Sequence, residues 1–199
     1  DTPVKGRDLQ LLRTMLFVPA NNPERFSKAL NSGADAVIID LEDAIPPDRK
    51  NKARCLVVEF LKERPSRDHY PSVFVRINGA GTPWAHDDLD AVILPGLAGI
   101  FFPKAESPED ILVLAERILV LAKDREFAPP VLMPIVETAR GILEALPIVS
   151  ATSTCAGLAL GGEDFANSVG ALRTPEGQEL SLARMQVVLA ARAVGAFPI

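Results

Sequence analysis

Short apolar blocks alternate with helix-like stretches along the chain, and this alternation restricts the fold more than any other feature. Seven blocks have the length and composition of buried strands; they are Met15–Val18, Ala36–Leu41, Ser72–Ile77, Gly99–Pro103, Val131–Val136, Cys155–Leu160 and Ala196–Ile199. Helical spacing and helix start and stop signals predict five helices; they are Pro23–Asn31, Arg49–Leu61, Pro108–Lys123, Ala139–Leu146 (ended by Pro147) and Gln178–Val194. Strands alternating with helices indicate βα units around a parallel sheet. Since an eighth strand would close the sheet, we predict an α/β fold, a TIM (β/α)8 barrel whose final strand is missing from this chain.

The composition favours one globular domain over residues 1–199. Of the 199 residues, 48% are hydrophobic and 24% are charged, which is enough for a sizeable core. The 21 basic and 26 acidic residues give a net charge of -5 without a basic block, which argues against nucleic acid and membrane surfaces as partners. The sequence has neither a membrane-length apolar run nor a signal-peptide core, which favours a cytoplasmic protein. Because the last block reads as the start of a strand, we expect the domain to be truncated at its C-terminus.

Charged and polar side chains lie at the carboxyl ends of five consecutive predicted strands, either in the last residues of a strand or directly after it. They are Asp40, Glu42 and Asp43, then Arg76 and Asn78, then Lys104 and Glu106, then Glu137, and finally Glu163 and Asp164. One such residue alone is often a helix cap or a solvated loop residue. In a (β/α)8 barrel, however, catalytic groups come from the carboxyl ends of several strands. The recurrence therefore favours a functional site at that edge of the sheet.

The residue types at these strand ends favour metal chemistry. The chain has only 2 histidines, so a histidine-based mechanism has few candidates, whereas carboxylates suit a hard cation such as Mg²⁺. Glu137 and Asp164 follow neighbouring predicted strands and could supply a ligand pair, while Arg76 could bind a substrate carboxylate. The step Gly161-Gly162 would let backbone approach a ligand, although turn geometry explains such glycines as well. These features predict an aldolase or lyase that acts on oxygen-rich acids.

Several longer motifs carry a resemblance to a known family. They are LFVPANNPERFSKAL, ADAVIIDLEDAIPPDRKNKAR, VFVRINGAGTPWAHDDL, GIFFPKAES, PIVETARGIL and LALGGEDFA. In order and spacing the chain resembles the citrate lyase beta-subunit-like family of the HpcH/HpaI aldolase superfamily, from residue 13 to residue 199. The resemblance implies a TIM barrel, a Mg²⁺ cofactor and assembly into a homotrimer or hexamer. It also implies carbon–carbon cleavage or formation of a hydroxyacyl-CoA thioester (citryl-, malyl- or citramalyl-CoA), with a keto acid and acetyl-CoA as the other partners.

Carried over motif by motif, the resemblance assigns roles to individual residues. The Glu of VET and the Asp of GGED become the metal ligands Glu137 and Asp164, and the Arg of VRIN becomes Arg76, a catalytic residue at the substrate. The LED segment would orient metal-bound water and take part in catalysis through Asp40, Glu42 and Asp43. Further substrate contacts are expected from Lys104, Glu137, Arg13 and Pro19. A C-terminal helical lid that many relatives carry is expected to be missing from this chain.

Other interpretations stay open at this point. Asp40 could cap a loop and Glu42 could pair with Arg54 or Lys50, while Lys104 could form a salt bridge with Glu137 or Asp40. Lys50 and Arg54 could alternatively meet CoA phosphates. For the whole chain, the alternatives are a class II aldolase that works without CoA on a small keto or hydroxy acid, and a non-catalytic subunit of a larger lyase.

Overall fold

The structure is a computed structural model that describes residues 12–63 and 71–199. Within this part of the chain there are seven strands: β1 Met15–Pro19, β2 Ala36–Asp40, β3 Ser72–Arg76, β4 Gly99–Phe102, β5 Val131–Val136, β6 Gly157–Leu160 and β7 Phe197–Pro198. The same residues form eight α-helices: α1 Pro23–Leu30, α2 Lys50–Glu63, α3 Ala85–Val92, α4 Pro108–Asp124, α5 Ala139–Leu143, α6 Ala145–Ser150, α7 Gly162–Ser168 and α8 Ser181–Ala193. The strands alternate with helices, which confirms the α/β class and all seven predicted strands.

Two short helices, α3 and α7, were not predicted, and one predicted boundary is wrong. Pro147 was expected to end a helix, but it lies in the first turn of α6. A proline is tolerated there because the first N–H groups of a helix have no partner within the helix. The break falls instead at Glu144, between α5 and α6.

Contacts between Cα atoms divide the chain into two compact units. The first unit contains residues 12–63, 71–101 and 117–131 of the described chain, and the second contains residues 102–116 and 132–199. The prediction of a single domain over residues 1–199 stays a prediction. No helix of the described residues combines the length and the apolar character needed to cross a bilayer.

In the first unit, strands β1 to β4 lie side by side in chain order and are all parallel. All five residues of β2 are buried, as expected for a parallel strand that is covered on both faces. The register pairs Pro19 with Asp40, Asp40 with Arg76, and Arg76 with Phe101. The carboxyl ends of the four strands therefore form one row, and the residues that follow them meet at the same edge.

In the second unit, strands β5, β6 and β7 are parallel and adjacent in chain order. The register pairs Val136 with Leu160, and the N–H of Gly161 donates to the oxygen of Val136 at 3.1 Å. Glu137 directly follows β5, and α7 begins two residues after β6. The carboxyl edge of this sheet thus carries Glu137 beside the first turn of α7.

Candidate active site

Three carboxylates converge on the guanidinium of Arg76 at the carboxyl ends of β2 and β3. Nε and Nη2 of Arg76 donate to Oδ1 and Oδ2 of Asp40 at 2.7 and 2.8 Å. Nη1 lies 3.1 Å from Oε2 of Glu42 and 3.5 Å from Oδ2 of Asp43. Asp40 and Glu42 are buried, whereas Asp43 is exposed. We call these four residues the Arg76 cluster, in which a two-pronged ion pair anchors one cation among three anions.

The carboxylate of Asp40 also holds the loop that follows β2. Oδ1 accepts from the backbone N–H of Glu42 at 2.9 Å, and Oδ2 accepts from that of Ala44 at 3.1 Å. With the two bonds from Arg76, each oxygen of Asp40 accepts two hydrogen bonds. Asp40 therefore caps this loop, and its part in catalysis stays a prediction.

Arg76 holds a permanent positive charge. Burial lowers the pKa of its guanidinium, but the hydrogen bonds to Asp40 and the charges of Asp40, Glu42 and Asp43 raise it, and the resulting pKa lies above the usual value. The ring of Phe17 faces the same group, with its centroid 5.1 Å from Cζ of Arg76. The first unit thus offers a fixed cation, bordered by carboxylates and one aromatic face, at the end of β3.

Glu137 is a buried carboxylate in the second unit. Glu137 is 2% exposed, and its Oε1 accepts a hydrogen bond from the backbone N–H of Lys104 at 2.7 Å. Lys104 has a φ of 53°, in the left-handed region, which costs about 1–2 kcal/mol for a residue with a Cβ atom. Strained backbone of this kind is characteristic of residues that are held in place for a function. The salt bridge expected for the Lys104 side chain stays a prediction.

Gly161 provides the space in which Glu137 lies. A Cβ atom at position 161 would overlap with Oε2 of Glu137 and would lie 2.6 Å from its Cβ atom. Real Cβ atoms do not approach other atoms that closely, so Glu137 would have to move if any other residue stood here. The first glycine of the GGED motif is therefore required by the carboxylate of the neighbouring strand end.

Asp164 lies in the first turn of α7, which follows β6, the strand next to β5. It is partly exposed, and among the residues that the structure describes no hydrogen bond or ion pair reaches its carboxylate. We call Glu137 and Asp164 the acidic pair. Because β5 and β6 are adjacent, the two carboxylates follow neighbouring strands at one edge of the sheet.

The acidic pair has the donor chemistry that Mg²⁺ prefers. Mg²⁺ is usually held by one or two carboxylates and completes its octahedron with waters and substrate oxygens. Residues 12–63 and 71–199 contain no group of three or more His, Cys, Asp or Glu side chains that could hold a metal. The buried carboxylate of Glu137, which lies in the space left by Gly161, and the carboxylate of Asp164 on the neighbouring strand end fit this pattern of one or two carboxylate ligands.

The two remaining predicted substrate contacts lie at opposite ends of β1. Pro19 ends this strand beside Asp40, and the N–H of Ala20 donates to the oxygen of Asp40 at 3.0 Å. Arg13 precedes β1, and its Nη2 donates at 3.1 Å to Asp35, which precedes β2. A strand of 5 residues, about 17 Å at 3.3 Å per residue, separates the two ends. The structure thus ties Arg13 to the amino ends of the strands, away from Arg76, and its role as a substrate contact stays a prediction.

Lys50 and Arg54 of α2 donate to groups other than the Glu42 carboxylate, the ion-pair partner that the sequence left open for them. Lys50 donates to the backbone oxygen of Glu42 at 2.7 Å, and Nε of Arg54 donates to Oδ1 of Asp88 at 2.9 Å. Asp88 is fully buried and was not among the predicted site residues. Its sequence context, HDDL, gives no signal for burial, since an aspartate in the first turn of a helix is ordinarily exposed.

The chain matches a known family model over almost its full length. The model describes the HpcH/HpaI aldolase/citrate lyase family, and it matches residues 13–198. The chain belongs to this family. Its strand-end carboxylates and Arg76 are therefore those of an HpcH/HpaI protein.

Individual relatives show how far the likeness extends. The chain is 38% identical over 191 residues to citrate lyase subunit beta of Leuconostoc mesenteroides subsp. cremoris, with 94% of this chain and 62% of that protein covered. It is 32% identical over 197 residues to the mitochondrial citramalyl-CoA lyase of Homo sapiens, with 92% and 56% covered. The Mycobacterium tuberculosis protein CitE, solved with magnesium, acetoacetate and coenzyme A, is 31% identical with a TM-score of 0.75, covering 94% of this chain and 66% of that one. The HpcH/HpaI chain spans less than two thirds of the length of the two sequence relatives.

Proposed function

We propose that the chain forms the core of a Mg²⁺-dependent carbon–carbon lyase that acts on the CoA thioester of a hydroxy acid. The proposed reaction cleaves or forms citryl-, malyl- or citramalyl-CoA, with a keto acid and acetyl-CoA as the other partners. The observation that carries the proposal is the buried Glu137, which lies after β5 in a space that only a glycine at position 161 leaves open. Family membership and the names of the relatives point to the same reaction class.

Glu137 and Asp164 are the residues proposed to hold Mg²⁺. When bound, the ion would polarise the oxygen atoms of the hydroxy or keto acid. Glu137 is suited to a fixed ligand because it is buried and held by the N–H of Lys104. Asp164 is suited to the second position because the residue is partly exposed and forms no ion pair with the described cations.

Arg76 is proposed to stabilise negative charge that develops on the substrate. In cleavage, the hydroxyl group loses its proton and becomes the carbonyl of the keto acid. The electrons of the broken carbon–carbon bond pass to the α-carbon of the thioester as an enolate, and protonation of that carbon gives acetyl-CoA. The guanidinium keeps its charge throughout because Asp40, Glu42 and Asp43 raise its pKa. Asp43, the exposed carboxylate of the Arg76 cluster, is the residue we propose as acceptor of the hydroxyl proton.

We further infer that the strands belong to a complete (β/α)8 barrel in the whole protein and that the protein assembles as a homotrimer or hexamer. The alternation of parallel strands with helices supports the barrel, and the resemblance to the family supports the assembly. Light scattering on the purified protein tests the assembly, with an expected mass of three or six times that of one chain. A monomeric mass would contradict it.

The reaction is tested with a panel of citryl-, malyl- and citramalyl-CoA, assayed for acetyl-CoA release with Mg²⁺ and with EDTA. We expect turnover of at least one ester, its loss in EDTA, and a loss of at least about 100-fold in Glu137→Gln. Glu109→Gln is the matched control, because Glu109 lies exposed in the first turn of α4. Turnover that survives EDTA, or a folded Glu137→Gln variant with normal turnover, would refute the metal role.

One alternative has support of its own, namely an aldolase that works without CoA. The family description includes aldolases as well as citrate lyase. Such an enzyme would use the same acidic pair and Arg76 but would turn over free hydroxy or keto acids. Mg²⁺-dependent turnover of free acids and not of any ester would favour it, whereas Mg²⁺ binding without any turnover would favour a non-catalytic subunit.

A further inference from the structure

The loop that follows β2 is held from two sides. On one side, the N–H groups of Glu42 and Ala44 donate to the carboxylate of Asp40. On the other side, Nζ of Lys50 donates to the backbone oxygens of Leu41 and Glu42 at 2.8 and 2.7 Å. Lys50 is only 5% exposed although it carries a charge. A buried ammonium in contact with two consecutive carbonyl groups fixes the path of the loop between them.

Asn78 completes the set of acceptors for this ammonium. Its Oδ1 accepts from Nζ of Lys50 at 2.6 Å, and its Nδ2 donates to the oxygen of Leu41 at 3.0 Å and to Oδ2 of Asp88 at 2.5 Å. Asp88 in turn accepts from Arg54 at 2.9 Å. The network thus joins the loop after β2 to the loop after β3 and to helices α2 and α3. All its members except Arg54 are buried.

Lysine suits the centre of this network better than any other residue. The ammonium group has three N–H donors, and three oxygen acceptors surround it, from Leu41, Glu42 and Asn78. The ring of Trp84 lies 5.3 Å away and adds a favourable face for a cation. Arginine would present a planar fork instead of a compact point charge, so it cannot reproduce the three directions.

The same loop carries two carboxylates of the Arg76 cluster. Glu42 and Asp43 lie on the segment whose carbonyl groups Lys50 holds, and both contact Nη1 of Arg76. A shift of the loop would therefore change the surroundings of the guanidinium without removing any group from it. Displacements of about 1 Å in such groups can lower turnover by about 100-fold.

We propose that Lys50 is a positioning residue, which holds the loop after β2 so that Glu42 and Asp43 keep Arg76 in its working position. The role rests on the proposed function, because that function assigns Arg76 to the transition state. Lys50 itself contacts backbone oxygens, Asn78 and Trp84, so it acts through the loop and is not a catalytic residue.

Lys50→Met tests this role against Lys52→Met, a matched control on the same helix with an exposed side chain. The substrate is the ester that the wild-type protein turns over, and the assay is run at a temperature at which the variants stay folded. Under these conditions Lys50→Met should lower kcat by about 100-fold, with KM within about threefold of the wild-type value. Calorimetric Mg²⁺ affinity should stay within about twofold, since the acidic pair lies elsewhere in the chain. Lys52→Met should change none of these. Lys50→Arg serves as the second variant if Lys50→Met does not fold, and it should not rescue kcat.

Hydrogen exchange provides a readout that does not depend on activity. In Lys50→Met, the amides of residues 41–45 should exchange at least about tenfold faster, while those of β5 keep their wild-type rates. A fall in kcat without faster exchange in this loop, or faster exchange with normal kcat, would overturn the proposal. If the wild-type protein turns over no ester, the proposed function fails, and loop exchange alone then decides whether Lys50 positions the loop.

Discussion

Asp40 ends one strand of a parallel sheet and Asp164 follows another, yet the surroundings of their carboxylates are opposite. Asp40 is 3% exposed and accepts four hydrogen bonds, two of them from Arg76 on the neighbouring strand. Asp164 is partly exposed, and no partner of its carboxylate occurs among the described residues. A carboxylate at a strand end is thus structural where the next strand supplies a matching cation, and available to a ligand where it does not.

Removal of Asp40 should give the largest loss of stability. Asp40→Ala leaves the largely buried guanidinium of Arg76 without its main partner and two loop N–H groups without an acceptor. Breaking a buried ion pair from one side costs about 3–5 kcal/mol of the free energy of unfolding. Urea denaturation measures the loss, with exposed Asp48→Ala as the control. A loss below about 1 kcal/mol would show that the cluster is not structural.

Gly161→Ala should have the next largest effect and should extend from stability to metal binding. The new Cβ atom meets Glu137, so we expect a loss of about 1–3 kcal/mol from overpacking and a weaker Mg²⁺ affinity as Glu137 is displaced. Denaturation and titration calorimetry measure the two effects. Gly81→Ala is the control, because a Cβ atom there meets nothing within 4 Å. Unchanged Mg²⁺ affinity in Gly161→Ala would separate Glu137 from the metal.

Asp164→Asn should separate stability from metal binding most clearly. Since no described residue forms a hydrogen bond or ion pair with the carboxylate, the free energy of unfolding should change by less than about 0.5 kcal/mol. The Mg²⁺ affinity should fall by at least about tenfold, because a charged ligand is replaced by a neutral one. A strongly destabilised variant would place Asp164 among the structural carboxylates, next to Asp40.

Arg13→Ala should have the smallest effect, because its ion pair with Asp35 is exposed to solvent. We expect no change in urea denaturation at pH 7 beyond the error of the measurement. The hydrogen bond from Arg13 lowers the pKa of Asp35 below its ordinary value of 3.8. Any stabilisation of the fold by this ion pair is therefore present above pH 3.8 and is lost as the pH falls below that value. If Arg13→Ala clearly lowered the free energy of unfolding at pH 7, the exposed ion pair would not differ from the buried ion pair of Arg76 and Asp40 as we expect.

The strands and the residues at their ends could be predicted from the sequence because both depend on local pattern. The first four residues of β2 are an unbroken apolar run, as expected for a strand buried on both faces, and Asp40 and the charged residues after it are easy to recognise. Helices α3 and α7 were missed because 8 and 7 residues are too short for a periodic signal and because neither begins with the proline that marked the equally short α1.

The partners of each carboxylate could not be predicted in the same way. The contact of Asp40 with Arg76 depends on the register of β2 and β3, and the close approach of Gly161 to Glu137 depends on that of β5 and β6. Register is a property of the packed sheet and not of any local segment. For the same reason, the sequence showed that Lys50 follows an acidic segment but not that it binds the carbonyl groups of that segment.

The most direct test of the account is to locate the metal. Crystals of the protein grown with Mn²⁺ in place of Mg²⁺ would give an anomalous difference peak at the bound ion. We predict one peak at about 2.1 Å from carboxylate oxygens of both Glu137 and Asp164, with Asp40 still hydrogen-bonded to Arg76. A peak at Asp40, Glu42 or Asp43, with none at Asp164, would contradict the division between structural and metal-binding carboxylates.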